Sequence, residues 1–98
     1  MTLTTDKNGS YLTVHLNGEL NTLTAPELSA LLNKELGGVQ ALILDFKECD
    51  YVSSAGLRVL LATFKQMKAA KGTMALANVG ENFRDVLENT GLDAVFGI

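Results

Sequence analysis

The chain carries a single histidine, His15, a single cysteine, Cys49, one proline and no tryptophan. One His and one Cys supply neither the four N or S ligands of a structural zinc site nor an internal disulfide. A Ser-His-Asp or Cys-His hydrolase would have to be built on His15. That residue falls in the middle of an alternating strand pattern and reads as a sheet-face side chain. Cys49, just past a strand, reads as a small apolar filler. Charge is scarce as well: 19% of residues are charged, and 8 Lys and Arg against 11 Asp and Glu leave a net charge of −3. With no arginine-rich block and no aromatic ladder, nucleic acid is not an expected partner. No apolar run approaches the ~20 residues of a membrane span. Val39 to Leu44 is interrupted by Gln40, and Ala55 to Phe64 contains Arg58. Met1 to Asp6 lacks the basic-then-apolar order of a signal peptide, so a cytoplasmic protein is expected.

What is present suits one small globular domain. The 98 residues are 47% hydrophobic, enough for a modest core. From Tyr11 to Gly18, Leu12, Val14 and Leu16 alternate with Thr13, His15 and Asn17, as in a strand with one covered face. Asn8-Gly9 before it is a hairpin signal and makes Leu3 to Asp6 the partner strand. Ala41 to Phe46 is nearly all apolar, as expected of a central strand covered on both faces. Thr73 to Ala77 and Ala94 to Ile98 are shorter strand candidates.

Three helices fit between them. Thr24-Ala25-Pro26-Glu27 opens the first, with Thr24 expected to cap and Glu27 to reach back. Leu28, Leu31, Leu32 and Leu36 form its stripe, and Gly37-Gly38 stops it. The second runs from about Ser54 to Ala70, burying Leu57, Leu60, Leu61, Phe64 and Met67. The third begins near Asn78, buries Phe83, Val86 and Leu87, and stops at Gly91. The order β-β-α-β-α-β-α-β implies an α/β fold, a mixed sheet of four to five strands with three helices mainly on one face. The turn from Phe46 to Ser54 lies at the carboxyl edge of that sheet, where open α/β sheets meet ligands and partners.

The informative segment is Asp50-Tyr51-Val52-Ser53-Ser54-Ala55-Gly56-Leu57-Arg58. Two serines stand where a loop becomes a helix, and one of them suffices as a cap worth ~1 kcal/mol. A glycine in a first turn costs up to ~1 kcal/mol relative to alanine, so the Ala55-Gly56 pair invites a second explanation, a helix start open to close approach. Such a helix start also favours an added phosphate through its free N–H groups and dipole. Arg58, Lys65 and Lys68 read as a solvated helix face. Asp45 and Asp50 flank the turn, but two carboxylates without substrate phosphates make a poor magnesium site, so strand-end and turn roles are expected. No glycine-rich phosphate loop is present, and no metal or cofactor is expected.

This segment resembles the phosphorylation loop of STAS domains, those shared by sulfate transporters and bacterial anti-sigma factor antagonists. Gly18-Glu19-Leu20-Asn21 with Ala25 and Leu28 is similar to the family's second-strand-to-first-helix signature, and the resemblance covers the whole chain. It implies a non-enzymatic partner switch. An antagonist of this kind binds an anti-sigma factor that is also a serine kinase, releases a sigma factor, and is shut off by serine phosphorylation until a phosphatase resets it. By position the acceptor is Ser54, two residues before Gly56. The family's acceptor often follows an Asp, where this chain has Ser53, which leaves Ser53 as the alternative acceptor. Its Gly-Glu-Leu signature often continues with Asp, where this chain has Asn21. The expected partner surface is Asn21, Thr22, Ser53, Ser54, Gly56, Leu57 and Arg58, with the side of Gly56 facing outward. Two other readings follow: a cytoplasmic STAS subunit of an ABC-type transporter or a stress-signalling scaffold, and a small enzyme with Ser54 as nucleophile, which lacks a nearby base. A free edge strand would leave the protein a monomer or a weak dimer.

Overall fold

The computed structural model describes all 98 residues, Met1 to Ile98. Strands β1 (Thr2–Asn8) and β2 (Tyr11–Asn17) open the chain. They are followed by α1 (Ala25–Glu35), β3 (Ala41–Glu48), α2 (Ser54–Ala69), β4 (Thr73–Ala77), α3 (Glu81–Thr90) and α4 (Leu92–Phe96). β1 and β2 form an antiparallel hairpin with Asn8 opposite Tyr11. Gly9 in its two-residue loop has φ +62°, the left-handed first position for which a type II′ turn selects glycine. β2, β3 and β4 run parallel, so one four-stranded sheet has the order β1-β2-β3-β4.

Sequential strand order has a direct consequence. Right-handed crossovers that always step in the same direction place their helices on the same face. Leu12, Val14 and Leu16 of β2, Leu42, Leu44 and Phe46 of β3, and Met74 of β4 are accordingly buried in one cluster with Leu28, Leu32, Leu60, Met67, Phe83 and Leu87. Full burial of each such side chain contributes about 1.5–3 kcal/mol. The rings of Phe46 and Phe83 meet at 4.9 Å between centroids, tilted by 50°. On the opposite face Thr13, His15, Ala41, Ile43 and Asp45 are only partly covered. β3 is therefore covered on one face and not on two, because no crossover reaches the other side.

The end of the chain corrects a second expectation. Ala94 to Ile98 is not a fifth strand; Leu92–Phe96 is a short helix, the fourth of the fold. Gly91, at φ +76°, turns the chain sharply after α3, and Gly97, at φ +70°, ends α4. The Ile98 N–H donates to the Asp93 carbonyl and the Gly97 N–H to the Ala94 carbonyl, the paired bonds of a Schellman stop. What holds this segment against the body is Phe96, buried edge-on against Phe64 at 5.5 Å.

Two helix starts also differ from expectation. α3 begins at Glu81 with Gly80 as its cap, because Asn78 sits in the left-handed region at φ +56°. Thr24 precedes α1 but makes no side-chain cap. Its Oγ1 accepts from the Asn21 N–H at 2.8 Å and donates to the Glu19 carbonyl at 2.6 Å. The hydroxyl is spent on the preceding turn.

Candidate functional site

The β2–α1 and β3–α2 turns are stitched together at the carboxyl edge of the parallel strands. Leu20 and Val52 form an isolated parallel bridge. The Leu20 N–H donates to the Tyr51 carbonyl at 2.9 Å, and the Ser53 N–H donates to the Leu20 carbonyl at 2.8 Å. One turn lower, the Gly18 N–H reaches the Glu48 carbonyl at 3.1 Å. The β3–α2 turn is also tied to α3, since Asn82 Nδ2 donates to Asp50 Oδ2 at 2.9 Å. Asp50 thus has the turn role expected of it.

Within the first turn Asn21 does the local work. Its Oδ1 accepts from the N–H groups of Leu23 at 3.0 Å and Thr24 at 3.1 Å, closing an Asx turn. In the second turn Ser53 is the N-cap of α2, and its hydroxyl accepts from the Gly56 N–H at 3.3 Å. Ser54, the first helical residue, is exposed and is not used by the cap. No acidic residue occupies the first turn of α2. An anion on Ser54 would therefore meet the helix dipole without a competing carboxylate there.

Gly56 is the one expected surface residue that the structure moves inside. It is buried, and a Cβ built on it would lie 2.8 Å from Leu20 Cγ and 3.0 Å from Val52 Cγ1. Its lack of bulk serves close approach, as expected, but the approaching atoms belong to the chain itself. The bridge that joins the two turns leaves no room for a side chain there. The outward-facing reading of Gly56 is withdrawn, and the other six candidates remain around one edge. Thr22, Ser54 and Arg58 are exposed, while Asn21, Ser53 and Leu57 are partly covered.

Arg58 lines a shallow groove between α1 and α2 with Ser29, Asn33 and Gln66. Lys68, ten residues along the helix, is about 15 Å away at 1.5 Å per residue, and its Nζ rests 5.6 Å from the centre of the Phe64 ring. It does not join the site. Two residues not singled out from the sequence do: Leu23 in the first turn is 84% exposed and Tyr51 in the second is 52% exposed. Their signal was available, for both are large apolar residues that fit neither a strand alternation nor a helix stripe. Cys49 is buried beneath this edge, with Sγ 3.6 Å from the Tyr51 carbonyl. Burial pushes its thiol above the usual range, which disfavours the thiolate a nucleophile needs.

The site is an edge of two locked turns with a free serine, and known proteins are similar to this chain in fold and in sequence. The STAS domain family matches residues 2–98. The chain is 35% identical over 99 residues to BtrV of Bordetella bronchiseptica, covering 100% of this chain and 85% of that protein, whose name places it among anti-sigma factor antagonists. It is 29% identical over 92 residues to the anti-sigma-B factor antagonist of Bacillus subtilis, covering 94% and 84% of the two chains. Among solved structures, the Bacillus cell fate determinant SpoIIAA in its phosphorylated form superposes with a TM-score of 0.77 at 21% identity, over 95% of this chain and 86% of that one. The chain belongs to the STAS domain family, and within it to the anti-sigma factor antagonists.

Proposed function

We propose that this protein is a non-enzymatic, cytoplasmic partner switch. It binds an anti-sigma factor that is also a serine kinase, so freeing a sigma factor, and lets go when that kinase phosphorylates Ser54. A serine phosphatase resets it. The observation that carries this reading is the division of labour between the serines. Ser53 is engaged as the cap of α2, while Ser54 is exposed beside two locked turns and free for modification.

The energetics are consistent with a switch that spares the fold. A phosphate adds about −1.5 to −2 charges, at a helix N-terminus that stabilises them. In a complex the same group must lose water or hold the partner off. A penalty of ~3–4 kcal/mol would weaken binding by roughly 10²–10³-fold.

The test is incubation with the cognate kinase and ATP, followed by mass spectrometry and a binding titration. Ser54→Ala should remain unmodified and keep binding; Ser54→Asp should lose part of the affinity; Ser53→Ala should still be phosphorylated. Phosphate on Ser53, or modification of Ser54→Ala at the wild-type rate, would overturn the assignment. Phosphate on neither serine, with stable binding to a transporter's nucleotide-binding subunit, would move the protein to the transport branch of the family.

A further inference from the structure

Where β3 leaves the sheet, its register breaks. His15 of β2 pairs with Asp45 of β3, but Asn17 pairs with Glu48, so three steps along β3 answer two along β2. This is a β-bulge in a parallel pair, and it leaves a residue of β3 out of the ladder. On the other side, the pairing with β4 ends at Asp45 opposite Ala77. Beyond Asp45, then, β4 no longer pairs with β3, β2 regains it only at Glu48 after the bulge, and the turn to Ser54 departs a few residues later.

The Asp45 carboxylate meets this break. Oδ1 accepts from the Lys47 N–H at 3.0 Å, inside the bulge, and from Asn78 Nδ2 at 2.8 Å, just past β4. Oδ2 faces His15 Nδ1 at 2.7 Å. The other nitrogen of that ring, Nε2, lies 3.5 Å from Asp6 Oδ2 on β1. One polar line thus crosses the open face from the edge strand to the end of β4. The groups around His15 are Asp6 from β1 and Asp45 from β3, with Lys47 and Glu48 of β3 lining the same hollow beside Thr2, Thr4 and Asn17. No helix covers it.

We infer that Asp45 is a positioning residue for the switch turn, that its carboxylate holds the bulge from which that turn departs, and that His15 makes this hold responsive to pH. The inference rests on reading Ser54 as the switch, but its test does not. With both ring nitrogens protonated, His15 donates to Asp45 and faces Asp6 with a second N–H. Deprotonation leaves one N–H, which the 2.7 Å contact keeps on Asp45 without the full charge assistance, and turns a lone pair toward Asp6. The carboxylates, Asp45 foremost, raise the His15 pKa against a smaller opposing desolvation. Asn78, the Lys47 N–H and His15, in that order, hold the Asp45 carboxyl below its usual range.

The experiment is amide hydrogen exchange and a pH titration by NMR on the free protein. Asp45→Ala should accelerate exchange at Lys47, and at the hydrogen-bonded turn amides of Cys49 and Ser53, by about tenfold, the loss of one charge-assisted hydrogen bond, while Leu44 and Leu87 stay protected. Asp45→Asn keeps an acceptor for the Lys47 N–H but sets an amide donor against His15 Nδ1, so exchange at Lys47 should rise less than in Asp45→Ala while the response to the His15 titration is lost. In the wild type, the Lys47 and Ser53 amide resonances should follow the His15 ring with one midpoint above the ordinary imidazole value. His15→Gln should flatten that profile and leave the turn ordered. The inference is overturned if Asp45→Ala exchanges like wild type at these amides or loses protection evenly throughout. Should Asp45→Ala not fold, the titration decides: amides that ignore the His15 midpoint, or still titrate in His15→Gln, overturn it. No kinase enters these readings, so a Ser54 that is never phosphorylated would leave them standing, and a flat titration would leave the serine switch untouched.

Discussion

The two turns that meet at the sheet edge solve the same problem with different economy. The β2–α1 turn engages two of its polar side chains internally: Asn21 Oδ1 closes an Asx turn and Thr24 Oγ1 bridges Glu19 and Asn21, while Thr22 stays exposed. The β3–α2 turn has two adjacent serines and uses only Ser53 for its cap. The first turn is fixed by Asn21 and Thr24, and the second leaves the Ser54 hydroxyl free at a helix start. A side chain that the local structure does not need is the one a regulator can alter without cost to the fold.

The largest way to break this arrangement is at the contact that joins the turns. Gly56→Trp should not give a folded protein with a disturbed surface. Its ring would have to displace Leu20 and Val52 from the core, an overpacking that costs upwards of ~3 kcal/mol, seen as loss of the cooperative urea transition. A native-like transition midpoint would restore the outward-facing reading of Gly56. The comparison between the serines is sharpened by truncating each. Ser53→Ala should lower stability by ~1 kcal/mol through loss of the cap, whereas Ser54→Ala should stay within about 0.5 kcal/mol of wild type. Equal losses in urea titrations would mean that the hydroxyls share the cap. The smallest effect is the pH dependence of stability. His15, raised in the folded state, contributes stability that is complete below its ordinary value of 6.5 and fades as pH rises through the higher folded value. Asp45, lowered in the folded state, contributes stability that is complete above 3.8 and fades as pH falls through its lower folded value. His15→Gln should therefore flatten the alkaline shoulder of a melting-temperature profile and reduce the acid limb only in part, because Asn78 and the Lys47 N–H still hold the Asp45 carboxyl low. An unchanged alkaline shoulder would show that Asp6 and Asp45 do not support the ring.

Much of this was legible because it is local. The alternation of Leu12, Val14 and Leu16 and the hairpin at Asn8-Gly9 each sit within one element, and the structure reproduces them; of the α2 stripe, Leu60 and Met67 are buried, with Thr63 between them, while Leu57, Leu61 and Phe64 are only partly covered. The segment Ala94 to Ile98 was misread because five residues set no period. Its state is decided by two left-handed glycines and by the distant Phe64 ring. Thr24 was misread as a cap because nothing in the order Thr-Ala-Pro-Glu shows that Glu19 and Asn21 compete for its hydroxyl. The direction of Gly56 was hidden for a similar reason: a glycine records that space is needed, not which neighbour needs it. The line from Asp6 through His15 to Asp45 depends on the register between three strands, which residue order alone does not encode.

The close packing at Gly56 also bears on how this surface can diverge. Leu20 lies in one turn, Val52 in the other and Gly56 in the helix that displays the serine, yet the three fill one space. Enlarging any of them alone crowds the others, so they are free to vary only in concert. The exposed residues around them, Thr22, Leu23, Tyr51 and Arg58, carry no such constraint. A lineage can therefore exchange the chemistry its partner meets, one residue at a time, while inheriting the internal wedge as a unit.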